Sequence, residues 1–378
     1  MNILFVGPYK QRNEAGRKSR ALLGALKRTG NTITSRPIFF VGNTVWLYTE
    51  DAEYTASTTY DVVVQNVAPA FAVYDGKFKK NIGVFNTDTL DTAPCSIAIS
   101  RMKLLDEVWV ENADTCKSLQ GATGTTNVAL IKPYADPSLQ ESFSEGDVAR
   151  RFPQGLIRNT PFQDKFIFYA MGSFGEREGV QELLCAYFSE FSAHDNCALI
   201  YVLEDHVDAS KINSLVDSCH KRIGAVRPPS QRPLIHVMNP DANSLTVEAR
   251  LMLHKEADCF ICPDYSLNCN SLILEAVYAQ NTPIINKNTA AYELLGESSS
   301  WGVDSYEEKC MLSERSFDDM FTSNETCVKP IVKSISQSMR EAYTNKFLRE
   351  KKRAHNIETA QMISSDTYYE SLKELLCS

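Results

Sequence analysis

The chain has 378 residues, of which 43% are hydrophobic, and a formal net charge of -8. Its length exceeds the ~150 residues of a common domain, so two domains of similar size are expected, each with its own core. No run of ~18 apolar residues is present, and the start from Met1 to Gly7 lacks the basic residues and the length of a signal peptide, which excludes a membrane-spanning helix and predicts a soluble, cytoplasmic protein.

Ile3 to Val6 reads as a strand and Pro8 to Gly16 as a polar loop. Leu22, Leu23 and Leu26 then share one face of a helix that ends near Gly30. Ile38 to Val41, Val62 to Val64, Ile82 to Phe85 and Glu107 to Val110 are further short strands. Such alternation predicts a parallel sheet flanked by helices. Ligands of open sheets sit at the carboxyl ends of the strands, which places the Pro8–Gly16 loop and the Asn86–Asp91 loop at the edge of a cleft. Residues 1–160 carry a net charge of +2 and the remainder -10. The acidic second half argues against non-specific nucleic-acid binding there, whereas the first half carries local basic clusters.

A stretch rich in Ser, Glu, Arg, Gly and Pro between Pro137 and Asp164 reads as a linker. Beyond it, Phe166 to Gly172 is a buried strand, and Gly172, Gly175 and Gly179 form a turn permitting close backbone approach. Val180, Leu183, Leu184, Tyr187 and Phe188 follow at helical spacing. A helix N-terminus after such a turn is an anion site. Ala257 to Pro263 is another strand, followed by Leu272 to Tyr278 and by the strand-like Pro283 to Ile285. Cys259 and Cys262 stand three apart in a strand, on opposite faces, with no second pair at zinc spacing; they read as core. The 11 cysteines are scattered through predicted strands and helices and are expected to be reduced. The six histidines show no ligand spacing and no Asp-x-Asp motif occurs, so no metal is implied. Past Trp301 the chain reads as polar and helical.

The segments from Phe166 to Glu293 resemble the C-terminal domain of retaining, family-four glycosyltransferases of the GT-B fold. Asn81 to Thr89, Leu105 to Asn112 and Lys132 to Asp136 look like acceptor-domain signatures of the same family, and Ser365 to Leu376 like its closing helix. The resemblance implies an α/β architecture of two Rossmann-like domains facing across a cleft. Residues 1–155 would bind the acceptor, 160–350 the nucleotide sugar, and 351–378 would return as helices to the first domain. It also implies transfer of a hexose from a nucleotide-diphosphate sugar, without a cofactor or a metal, and with retention at the anomeric carbon.

In the family the glycine turn faces the donor pyrophosphate, an Arg follows the first glycine and a Lys stands five residues later. Here those positions are Ser173 and Glu178, with Arg177 one residue away and Lys287 a weaker substitute. Of the family's Glu pair, the second, ribose-binding member matches Glu275 and the first falls on Leu267. Asn112 stands where a Ser is usual, and Asp88 is the nearest polar candidate to a missing His. The catalytic candidates are thus Asp88, Arg177 and Glu275. Gly172, Ser173, Gly175, Asn268, Cys269, Asn270, Ser271, Glu275, Lys287 and Glu293 are donor-site candidates.

Bland readings stand beside these. Glu275 also reads as a first-turn Glu favoured by the helix dipole, Glu293 as a helix cap, Arg177 as a solvated helix-start residue and Lys287 as a loop lysine. On the acceptor side Lys10, Arg12, Gly16, Asp88 and Asn112 are candidates. Basic clusters at Lys10, Arg12, Arg17, Lys18 and Arg20, and at Lys77, Lys79 and Lys80, would suit an anionic acceptor such as a phosphorylated glycan, a membrane surface or a nucleic acid. Two alternatives to a transferase are a catalytically weak binding or chaperone subunit on the same fold and a nucleotide-sugar epimerase.

Overall fold

The computed structural model describes residues 1–41, 44–47, 59–85, 97–124, 127–136, 139, 157, 160–204, 207–223, 228–238, 247–309 and 325–377. Its first half is a seven-stranded sheet built from β1 (Asn2–Gly7), β2 (Thr32–Val41), β3 (Thr44–Leu47), β4 (Val62–Gln65), β5 (Lys80–Val84), β6 (Glu107–Val110) and β7 (Asn127–Leu130). The order is β3-β2-β1-β4-β5-β6-β7. All neighbours are parallel except the β2–β3 hairpin. Parallel strands covered by helices on both faces need no polar alternation, and Val62, Val63 and Val64 are accordingly all buried. α1 (Glu14–Arg28) presents Leu22, Leu23 and Leu26 to the core, and Gly30 supplies the left-handed turn after it at φ 78°. α2 (Ile97–Met102) and α3 (Ala113–Thr123) complete this half.

The second half repeats the plan. β8 (Phe166–Gly172), α4 (Val180–Glu190), β9 (Cys197–Leu203), α5 (Ala209–Arg222), β10 (Leu234–Met238), α6 (Val247–Glu256), β11 (Cys259–Cys262), α7 (Ser271–Tyr278), β12 (Ile284–Asn286), α8 (Ala290–Ser299) and β13 (Trp301–Val303) alternate along the chain. Their strands form a parallel sheet in the order β10-β9-β8-β11-β12-β13. In both sheets the chain doubles back beside the first strand, between β1 and β4 and between β8 and β11. That switch point is where open sheets leave a crevice for a ligand.

Past Trp301 the expectation of helix alone needs correction. β14 (Ser305–Lys309) and β15 (Thr326–Pro330) pair antiparallel before α9 (Val332–Thr344), α10 (Lys346–Ser364) and α11 (Asp366–Cys377). The reason is exposure: β14 is solvent-facing over Glu307, Glu308 and Lys309, so it carries no apolar period to read. The closing helix α11 crosses back to the first domain. Tyr368 donates to the Pro133 carbonyl at 2.8 Å, Tyr369 stacks on Tyr134 at 5.6 Å, and Lys80 donates to the Leu375 carbonyl. One apolar cluster runs through both domains, from Ile3, Phe5 and Trp109 to Ile167, Leu272 and Leu372. Among the described residues no helix is long and apolar enough to cross a membrane.

Candidate functional site

Two turns meet at the paired switch points. After β1 the chain folds tightly: a Cβ at Gly16 would lie 1.9 Å from the Gln11 carbonyl oxygen, and the Asn13 side chain accepts from the Gly16 N–H at 3.1 Å. This close turn aims Glu14, Arg17 and Lys18 at the second domain. There β8 ends at Gly172, and Gly179 takes a left-handed φ of 65° at a place where a Cβ would lie 2.1 Å from the Pro263 carbonyl oxygen. β9 delivers Glu204 and β11 delivers Asp264. α7 begins beyond Asn270, whose side chain caps it by accepting from the Leu272 N–H at 3.0 Å. Between them lies a cavity of about 270 Å³, walled by Glu14, Arg17, Lys18, Gly172, Arg177, Glu178, Glu204, Asp264 and Asn270, among others.

Charge in this cavity is dense and mostly paired. Arg17, 2% exposed, reaches Glu204 at 2.5 Å, Glu14 at 3.0 Å and the Ser271 hydroxyl at 2.9 Å. Burial opposes its charge, but the Glu204 and Glu14 carboxylates outweigh that and raise its pKa. Glu14 in turn accepts from the Ser271 N–H at 2.8 Å and from its hydroxyl at 2.5 Å, so a carboxylate of the first domain sits on the N-terminus of α7. Lys18 pairs with Glu111 at 3.2 Å, and the same Glu111 oxygen accepts from the Cys269 N–H. Glu178 accepts from the Ser173 hydroxyl at 3.0 Å. Burial, then the negative charge of Asp264, push its carboxyl up to about 8.

Gly172, Arg177 and Asn270, read from the sequence, are thus brought to one cavity. Ser173 lies just behind it, its carbonyl accepting from Tyr201, while the Gly175 carbonyl accepts from the Glu178 N–H. Asn268 and Cys269 are buried beneath the α7 turn, and Leu267 is 1% exposed. Other candidates lie elsewhere. Lys287, just past β12, pairs with Asp304, just past β13, at 2.7 Å, and both side chains are exposed. Glu293, in the first turn of α8, lines a second cavity of about 560 Å³ with Lys132 and Tyr368. The cap of that helix is Thr289, not Glu293. Asn112 caps α3 through the Asp114 and Thr115 N–H groups and faces Glu293 at 3.4 Å. Lys10 and Arg12 are exposed, and Arg12 offers its carbonyl to Arg17. Asp88 lies outside the described residues, as does most of the predicted linker. Glu204 and Asp264 carry no motif; each stands just past a buried apolar run, Cys197–Leu203 and Cys259–Cys262, and that position was their only signal.

Glu275 sits under α7 in its second turn, 2% exposed and away from the cavity wall. Its two oxygens receive Arg250 at 2.6 Å and 3.0 Å, and His254 lies 3.7 Å away. Burial would raise this carboxyl, but Arg250 and His254 hold it down at about 2. His254 itself is driven below its usual range by burial and bonds the Tyr169 hydroxyl at 2.7 Å. No glycine follows α7; Gln280 takes the left-handed turn at φ 62° instead. Among the described residues no cluster of His, Cys, Asp and Glu could hold a metal ion.

No family model matches the chain, and no curated protein matches it in sequence. Solved structures do match over its full length. The sucrose-phosphate synthase of Thermosynechococcus elongatus superposes with a TM-score of 0.64 at 11% identity, covering 100% of this chain and 98% of that one. The UDP-forming α,α-trehalose-phosphate synthase of Burkholderia xenovorans in complex with glucose-6-phosphate gives 0.63 at 10% identity, covering 100% of both chains. The fold is GT-B. A third neighbour, Anabaena HepE in complex with UDP and glucose, gives 0.59 at 11% identity over 100% of this chain and 99% of that one. In GT-B terms the 270 Å³ cavity lies in the cleft between the two Rossmann-like domains.

Proposed function

We propose that the chain is a glycosyltransferase that takes a hexose from a nucleotide-diphosphate sugar and passes it, with retention and without a metal, to an acceptor bound by the first domain. One observation carries this reading: the cleft cavity joins the Gly172 turn and the N-terminus of α7 from one domain to Arg17 and Lys18 from the other. The start of α7 and three cations, Arg17, Lys18 and Arg177, line one small volume and suit a pyrophosphate once it displaces the carboxylates that share the wall, Glu14 first among them. A departing phosphate stabilised this way needs positioning and electrostatics more than a covalent intermediate. Arg17 and Lys18 would supply the charge missing at residues 173 and 178, and the phosphate would take over the Ser271 donors now given to Glu14.

Neighbours named for UDP, glucose and glucose-6-phosphate support a sugar acceptor and make UDP-glucose the first donor to try. The test is product analysis after incubation with UDP-glucose and glucose or glucose-6-phosphate, with a chelator present. A retained-anomer glycoside is the expected product, and free UDP without glycoside would refute transfer. A second reading, a ligand-binding subunit that does not turn over, is favoured by the sealing of Glu275 against Arg250 and by the pairing of Arg17 and Lys18 with carboxylates. Saturable UDP binding with no product from any donor would select it.

A further inference from the structure

Glu178 lines the cleft cavity beside Arg17, Lys18 and Arg177. Arg17 is taken by Glu14 and Glu204, and Lys18 by Glu111. Among the described residues no ion pair reaches Glu178; its partner is the Ser173 hydroxyl. Its position is fixed rather than adventitious. Gly179, pinned against Pro263, follows it directly, and the Tyr265 N–H bonds the Arg177 carbonyl just before it at 2.9 Å. Its Oε2 lies 2.9 Å from where a Cβ on Gly172 would stand, so the carboxyl is in close contact with the glycine turn. A carboxylate there would face Glu14, Glu204 and Asp264 and would repel any phosphate entering the cavity.

We propose that Glu178 is a ligand-binding residue that meets a phosphate of the nucleotide as a neutral carboxylic acid, donating its proton in a hydrogen bond where a cation would otherwise stand. The inference rests on the donor-site reading above. Protonated Glu178 leaves the phosphate a donor beside Gly172; ionised Glu178 would present it with a charge of its own sign. Other charged and titratable groups facing this point are Glu14, Arg17 and Lys18 from α1, neighbouring Arg177, Tyr201 and Glu204 from β9, and Cys262 and Asp264 from β11 and its following turn. Burial and neighbouring carboxylates raise Tyr201 and Cys262 well above their ordinary values, while Arg17 and Lys18 are raised by Glu204 and Glu111 against the opposing effect of burial. Those four do not change charge where the Glu178 proton is lost.

The experiment is calorimetric titration of the full chain with UDP, and with ADP and GDP beside it, from about pH 7 to about pH 9; the terminal phosphate completes its own ionisation in the lowest part of that window, so the slope is read above about pH 8. Wild-type affinity should fall towards tenfold per pH unit above about pH 8, as expected for one obligatory proton. Glu178→Gln, which keeps a neutral donor, should bind within a few-fold of the wild type at low pH and show no fall. Glu178→Lys should be equally flat. A wild-type profile that is flat overturns the proposal whatever the variants do, and so does a Glu178→Gln profile with the wild-type slope. Failure of every nucleotide at every pH overturns the donor-site reading and this inference together, whereas pH-independent binding overturns only the inference.

Discussion

Two glutamates of the second domain, one on α7 and one before Gly179, are driven in opposite directions. Glu275 is held down at about 2 by Arg250 and His254 against the effect of burial. Glu178, in the cleft cavity, is pushed up to about 8 by burial and by Asp264. Burial acts upward on both; the nearest charge decides the outcome. Arg250 neutralises a group that is 2% exposed and lies off the cavity wall. At Glu178 no cation among the described residues pairs with the carboxyl, and burial with Asp264 pushes it towards its neutral form.

The comparison breaks most severely at Arg250. Arg250→Ala should cost ~3–5 kcal/mol in chemical denaturation, because it leaves Glu275 charged and unpaired in the core. Arg250→Met combined with Glu275→Leu should be no less stable than the wild type, since the desolvation of both ions is then avoided. If the single substitution costs under about 1 kcal/mol, the pair is not scaffold.

Stability against pH sharpens the contrast, because the two carboxyls give slopes of opposite sign. Glu275 lies below its ordinary 4.5 in the folded chain, so it stabilises above that pH and its contribution is lost as the pH falls from about 4.5 towards about 2. Glu178 lies above 4.5, so its contribution is full below that pH and is lost as the pH rises towards about 8. Melting curves of Glu275→Gln should lack the acid slope and those of Glu178→Gln the upper one; equal slopes in all three proteins would refute the assignment. A smaller effect is expected from Gly179→Ala, at ~1–3 kcal/mol, since its left-handed backbone and the Pro263 carbonyl both exclude a Cβ. That variant should also weaken UDP binding by displacing Glu178, and normal binding would show that the turn does not position it.

Much of this architecture is legible in the sequence. Strands such as Val62–Gln65 and Phe166–Gly172 are buried on both faces and therefore print as apolar runs. β14 is exposed and prints nothing. Within the site, Gly172, Arg177 and Asn270 were readable because a glycine turn and a helix start have local signatures. Arg17 read as one of a basic run, and its bond to Ser271 joins residues 254 apart, a separation that no local pattern encodes. The partner of Glu275 was hidden for the same reason: Arg250 lies on α6, and nothing in the spacing of the two residues marks them as a pair.

The smallest expected effect belongs to Lys287. Like Arg250 it stands on the second domain with a carboxylate at hydrogen-bond distance, Asp304 at 2.7 Å, but both side chains are 41% or more exposed. Water already solvates each ion there, so removing one leaves no buried charge behind. The stem of Lys287 packs over Gly302, where a Cβ would come within 2.7 Å of its Cε, so some apolar contact is lost as well. Lys287→Ala should therefore cost ~0–1 kcal/mol, and salt should shrink that further. A loss of several kcal/mol that persists at high salt would place Lys287 with Arg250, and exposure would then not be what separates the two pairs.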